Sequence, residues 1–331
     1  MVTLPPSSCV AKIGTGCCAK CNHYVSSNFS LPFLDVFMIV AYLTASLCVL
    51  TRAILNVCDR QIFKQENVDF LKSIVYNAVF PFVVSLVISL CFCKSWSSMY
   101  SLIVQPGIFF SALGAQLAAY LFSLGFKSMT VKSVAVTAKT ADFFIPLIIF
   151  AMTNRFQYSE YVFACLSTLI FLPLLRGQTH SFTLGIAIVL ILLLQVMVNT
   201  YFHMNSFADT WPKFLAMMTS ILFWRILFTL PPLLFKKIKT MKNNPIEKKR
   251  VPYHLLALRA LLAFVSQSAF FYSITGVSTH IAWPILNSTT LVACYTAHLL
   301  LGEQIGKTEV KVLGSFICLS IIYLFIQGKI L

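Results

Sequence analysis

The chain has 331 residues, of which 58% are hydrophobic and 11% charged, with a formal net charge of +15 and a mean hydropathy of +0.84. A soluble domain carries about 25% charged residues, and a chain this apolar cannot hide its surface in a water-soluble core. The composition therefore predicts an all-α integral membrane protein and excludes a soluble enzyme or nucleic-acid binder. The excess of positive charge reads as loops beside a membrane.

In chain order, residues 1–31 form a polar tail with Pro5 and Pro6 where a signal peptide needs an apolar core. Four cysteines cluster there, Cys9, Cys17, Cys18 and Cys21, with His23 nearby. One C-x-x-C without a second pair is too little for a metal site, so a disordered tail is the expectation. About ten apolar spans of helix length follow, at roughly 33–57, 70–93, 104–125, 129–151, 158–176, 182–203, 213–235, 253–275, 278–301 and 310–328. Barrel strands would be half as long and would alternate. Connections are short apart from the basic loop KKIKTMKNNPIEKKR, 236–250.

The spans repeat. Residues 104–125 reappear as 253–275 at an offset near 149–150, Glu160 maps to Glu309, and FACLSTLIFLPLL (163–175) has a counterpart in KVLGSFICLSIIYLF (311–325). Five helices is an odd number, so the two halves must insert with opposite orientation. The expected architecture is a tail, 1–31, and two inverted five-helix repeats, 32–176 and 177–331, with a site between them near the midplane.

The stretch TAKTADFFIPLIIF, 137–150, places Lys139 and Asp142 three residues apart on one helix face. A charge at membrane depth costs about 2.5–3.5 kcal/mol on insertion scales. Pro146 cannot donate to the carbonyl of Asp142 and opens that turn, which a membrane tolerates where protein or water satisfies the group. Charge, counter-charge and freed carbonyl converge, which predicts that this stretch lines a substrate cavity; an internal salt bridge is the structural alternative. Arg225, near the middle of its span, wants a carboxylate or phosphate in bidentate geometry. Either a substrate or Asp142 would serve. Arg52 and Arg259 are read as equally able to snorkel to the interface. Asp142 is the one clear negative group against these four cations. Gln116, Asn287, Tyr201 and Trp283 complete the candidate substrate site, with Asn77, Gln195, Asn199, Gln267 and Tyr295 as further polar groups inside spans. Interhelical hydrogen bonding is the ordinary role for such amides. Pro284 is expected to break its span as Pro146 does.

No catalytic site is predicted: nucleophile elbow, phosphate loop and His ligand spacing are all missing. A membrane-embedded enzyme or a scaffold is the alternative class. No cofactor or metal is implied.

The stretch GVSTHIAWPILNSTTLVACYTAHLLLGEQI, 276–305, with its Leu301-Gly302-Glu303 turn, resembles the ninth helix of the EamA-like branch of the drug/metabolite transporter superfamily. The equivalent first-half turn reads Met152-Thr153-Asn154. The resemblance implies a secondary carrier of small organic metabolites working by alternating access in a cell membrane, a bacterial inner membrane being the expectation, with a homodimer left open. The chain also looks like those EamA-type carriers that exchange S-adenosylmethionine for S-adenosylhomocysteine. Organophosphate or nucleotide-sugar antiport is the rival within carriers, favoured by the excess of positive charge; relatives that carry phosphorylated compounds or nucleotide sugars also have a lysine near the middle of the fourth helix, to which Lys139 is similar. Its counterpart in the second half is then Ser288. Orientation stays open: the basic residues of 236–250 place that loop in the cytoplasm and the termini outside, whereas the resemblance places the termini inside.

Overall fold

Apolar runs flanked by short polar turns leave the backbone one way to satisfy itself in lipid, the helix. The computed structural model describes residues 31–65, 68–92, 96–154, 158–175, 182–204, 210–241, 251–274 and 285–330. The tail with its four cysteines, the basic loop beyond Met241, Trp283 and Pro284 lie outside the described residues. Val40–Leu331 is one unit and Met1–Ile39 another; of the latter, residues 31–39 are described, and they are helical.

The helices are α1 (Leu31–Lys64), α2 (Phe70–Phe92), α3 (Trp96–Ile103), α4 (Pro106–Ser128), α5 (Val131–Thr153), α6 (Tyr158–Phe171), α7 (Phe182–Tyr201), α8 (Trp211–Met241), α9 (Tyr253–Ile274), α10 (Thr289–Leu301) and α11 (Lys307–Ile330). Among the described residues eight helices are long and apolar enough to cross a membrane, and two shorter apolar helices cover Tyr161–Leu174 and Thr289–Leu301. The shortfall from ten has local causes. The run expected at 158–176 tightens into a 3₁₀ turn at Leu172–Leu175 around Pro173. Most of the first half of the run expected at 278–301 lies outside the described residues.

Three further differences from the sequence reading matter. Helix α1 continues to Lys64 instead of ending near residue 57. Residues 96–103, read as a connection, form the short helix α3, whose Ile103 carbonyl accepts from the Trp224 indole N–H at 2.8 Å. Pro146 does not break α5, which runs unbroken from Val131 to Thr153.

Packing follows small residues. Gly107, Ser111 and Gly114 line the side of α4 that meets α7. A Cβ on Gly107 would lie 2.7 Å from Phe202 Cβ, Gly114 faces the Gln195 side chain, and Ser111 donates to Asn199 Oδ1 at 2.9 Å. Small residues of this kind let membrane helices approach closely.

Three of the antiparallel helix pairs lie five spans apart once α3 is set aside. Between α2 and α8, Ser85 Oγ lies 2.6 Å from Thr219 Oγ1 while Ser89, one turn on, reaches back to the Leu215 carbonyl. Between α6 and α11, Phe163 packs on Tyr323 and Phe171 on Phe316. Between α5 and α10, Val131 at the start of α5 donates to Glu303, just past the end of α10. Lys132 of the same α5 turn pairs with Glu309 in the first turn of α11. Both α5 and α10 end in a left-handed cap, on Asn154 (φ 54°) and on Gly302 (φ 68°). Glycine reaches that conformation without a Cβ penalty, and asparagine is the commonest substitute.

Candidate functional site

A cavity of about 550 Å³ lies among α1, α4, α5, α7, α8, α9 and the start of α10. Its charged lining is Arg52, Lys139, Asp142, Arg225 and Arg259, and its amides are Asn56, Gln195, Gln267 and Asn287. The remaining lining is largely apolar, so each polar group there has been placed against the general cost of burial.

The spacing of α5 brings Lys139 and Asp142 onto the cavity face together. Lys139 Nζ donates to Asp142 Oδ2 at 2.7 Å and to Asn287 Oδ1 at the start of α10. The lysine side chain is 3% exposed and the aspartate 30%. The ion pair thus has a sealed cationic end and a carboxylate open to the cavity. Lys139 thus reaches Asn287, the residue before Ser288, its expected counterpart in the second half. The separation of 148 residues is also the separation of the two left-handed caps, Asn154 and Gly302.

Arg259 on α9 is held by Asp59 on α1. Its Nη2 donates to Asp59 Oδ2 at 3.1 Å and its Nε to Oδ1, the bidentate geometry a guanidinium favours. Asp59 is buried and forms a second intramembrane carboxylate beside Asp142, which corrects the expectation of a single negative group. Arg52 does not snorkel: its Nε donates to Ser266 Oγ at 3.3 Å, and its guanidinium carbon sits 4.8 Å from the Phe270 ring centroid. Arg225 Nε donates to Gln116 Oε1 at 3.2 Å.

Among the described residues, then, two of the four cations are answered by carboxylates and two, Arg52 and Arg225, by neutral groups alone. Attraction between unit charges falls as the reciprocal of dielectric, and the charged lining, four cations and one carboxylate, leaves this cavity with an excess of positive charge.

Of the site residues expected from sequence, Lys139, Asp142, Arg225 and Asn287 line the cavity. Gln116 stands behind it, buried, and holds Arg225. Tyr201 is elsewhere: α7 ends at this residue, where it is 70% exposed and packs on Phe202. The expectation placed it inside a span running to residue 203. Asp59 and Ser266 were missed, and neither carries a local signal. Asp59 lies beyond the apolar run of α1, and Ser266 is one hydroxyl among many.

Residues 185–327, from the first turn of α7 to the last turns of α11, match the family model for the EamA-like transporter family. A solved structure, described only as the crystal structure of a protein, superposes with a TM-score of 0.58 at 8% identity. It covers 86% of this chain and 97% of its own. At that identity the likeness concerns the fold. No curated protein matches the chain. With eight helices of spanning length and the family match over its C-terminal part, the chain is an integral membrane protein.

Proposed function

We propose that this chain is a secondary carrier of a small organic anion, built from ten spans as two inverted five-helix repeats and working by alternating access around the 550 Å³ cavity. The observation that carries the substrate reading is the pair Arg52 and Arg225, whose described partners are a hydroxyl, a ring face and an amide oxygen. A guanidinium in such a place is matched by a carboxylate or phosphate in fork geometry, and two of them match a group with two negative charges. Lys139 and Asn287 join α5 to the start of α10 on the cavity lining and would orient the rest of the molecule.

Carrier architecture is supported by the family match and by the helix packing. An inverted repeat demands that equivalent helices meeting at the axis run antiparallel. The pairs α2–α8, α5–α10 and α6–α11, each five spans apart once α3 is set aside, do so. Lys139 and Asn287 are equivalent positions when the caps Asn154 and Gly302 are aligned, and equivalent positions touch each other only near such an axis. The membrane is that of a cell, a bacterial inner membrane on this reading, and transport is obligate exchange; uptake into vesicles with no internal counter-substrate would overturn the exchange.

Exchange of S-adenosylmethionine for S-adenosylhomocysteine fits the cavity less well. The sulfonium and ammonium groups ask for carboxylates, and the one on the cavity, Asp142, is engaged by Lys139. Organophosphates fit better. A charge series on one scaffold decides between them: adenosine monophosphate, adenosine, S-adenosylhomocysteine and S-adenosylmethionine, each titrated against the purified protein by thermal shift. The expected order puts the monophosphate first and S-adenosylmethionine last. The reverse order overturns the anionic reading.

A further inference from the structure

Helix α1 carries Arg52, Asn56, Arg60 and Lys64 at every fourth position, so the four side chains share one helix face and cover about 18 Å of its length. Arg52 and Asn56 line the central cavity. Arg60 and Lys64 line a second cavity of about 380 Å³ together with Gln61, Gln65, Leu301 and Glu303. One helix face therefore joins two separate cavities, and its polar residues are three cations and an amide.

We infer that the second cavity is an anion-capture vestibule and that this face of α1 is a cationic ladder leading from it to the central site. The inference rests on the anionic substrate proposed above. The class of ligand is a phosphate or carboxylate group with one or two negative charges.

The geometry of each rung supports this. Arg60 does not simply reach for water: its Nη1 donates to the carbonyls of Phe126 and Lys127 at the end of α4. Those neutral acceptors fix the guanidinium, and the charge it faces is Glu303, which attracts it within the same cavity. Lys64 is exposed and has no ion-pair partner among the described residues. The one carboxylate in the vestibule, Glu303, is held by the Val131 N–H at 3.2 Å, at the positive end of α5. Two cations thus face one restrained carboxylate, and the wall stays net positive. Clefts lined by one sign of charge raise association rates by about 10–1,000-fold, an effect that salt suppresses. Arg60 and Lys64 stand about 6 Å apart along the axis, within a Debye length of about 8–10 Å at moderate salt, and Asn56 spans the gap of about 12 Å from Arg60 to Arg52.

The test uses two readouts in neutral phosphatidylcholine vesicles. The first is the rate at which Gln61→Cys and Gln65→Cys react with an anionic methanethiosulfonate and with a cationic one of similar size, the unsubstituted chain serving as background for its own cysteines. The anionic reagent is expected to react about 5–20-fold faster relative to its rate with a small free thiol, and the advantage is expected to vanish when Arg60→Gln and Lys64→Gln are added or in molar salt. The second is the association rate of adenosine monophosphate, expected to fall about 5–10-fold in Arg60→Gln/Lys64→Gln at low salt. If Arg60→Gln fails to fold, Lys64→Gln alone, at an exposed helix end, is expected to give about half of the logarithmic effect.

Equal reactivity of the two reagents overturns the vestibule. So does a monophosphate association rate that is indifferent to both substitutions in a protein that binds it. An effect present only in vesicles containing phosphatidylglycerol assigns the cavity to a lipid headgroup and also overturns it. If the unsubstituted protein binds no anion of the adenosine series, the anionic reading fails by itself, and the reagent ratio still decides the vestibule.

Discussion

A guanidinium inside a membrane protein is informative only once its partners are known. Arg52, Arg225 and Arg259 are equally visible as cations in apolar runs, yet Arg259 has its charge answered by Asp59 while the other two do not. These roles predict different phenotypes. Arg225→Gln removes an unanswered charge, so the protein is expected to fold and to bind a dianion at least about 30-fold more weakly, by the same thermal-shift titration; losing one partner of a buried charged contact costs about 2–5 kcal/mol. Asp59→Asn instead leaves a buried guanidinium uncompensated and is expected to destabilise the fold by about 3 kcal/mol. Adding Arg259→Met to Asp59→Asn is expected to recover most of that loss, and melting of the two single variants and the double variant checks it. A double variant no better than the worse single would show that the pair does not act as a unit. Lys139, Asp142 and Arg225 were legible in the sequence because charge within an apolar run is rare. Asp59 was not, since the apolar pattern of α1 fades before the helix ends. The pairings were illegible as well, because Arg259 meets Asp59 across 200 residues and Arg52 meets Ser266 across 214.

At the scale of helices, most long apolar runs match the helices to within a few residues, because a bilayer leaves little choice of length or backbone, whereas α1 and α8 extend seven and six residues past the expected ends at 57 and 235. Two features escaped. Helix α3 is eight residues long, too short for periodicity to separate it from a connection. The turn at Met152-Thr153-Asn154 looked unlike Leu301-Gly302-Glu303, yet both put their cap residue in the left-handed region. Letters differ there while backbone conformation does not, and the backbone is what the turn requires. Gly302→Val is therefore expected to cost more stability than Asn154→Gly, which should be close to neutral. Between α4 and α7 the limit is space. A Cβ on Gly107 would stand 2.7 Å from Phe202 Cβ, so Gly107→Leu must push the two helices apart. It is expected to lower the melting temperature and to reduce binding at the cavity that α4 and α7 both line, whereas Gly114→Ala, with 3.8 Å to its nearest neighbour, should be tolerated.

At the scale of the whole chain, the proposed inversion makes a prediction that neither the cavity nor any single helix makes. If the halves are related by an axis in the membrane plane, the caps at Asn154 and Gly302 are equivalent positions facing opposite sides of the bilayer. The local contacts already lean that way, since the start of α5 lies against the end of α10 through Val131 and Glu303. The C-terminal cap of α5 must then be a helix length away from that contact, about 33 Å for a rise of 1.5 Å over the residues of α5, which is the thickness of a hydrocarbon core. Single cysteines at positions 154 and 302, in a background whose own cysteines are accounted for, are expected to react with a membrane-impermeant maleimide from opposite sides of sealed vesicles. Labelling of both from one side would remove the inverted repeat, and with it the axis on which Lys139 and Asn287 meet. The same experiment fixes the orientation that loop charge leaves open. The basic run 236–250 comprises the last turns of α8 and the residues that lead to α9, and α9 begins on the same side as the Gly302 cap, because Asp59 near the end of α1 holds Arg259 near the start of α9 while Arg60, next to Asp59, reaches the end of α4 just before Val131. If positive charge is retained inside, position 302 is the cytoplasmic one, position 154 the external one, and the vestibule between α1 and Glu303 opens to the cytoplasm.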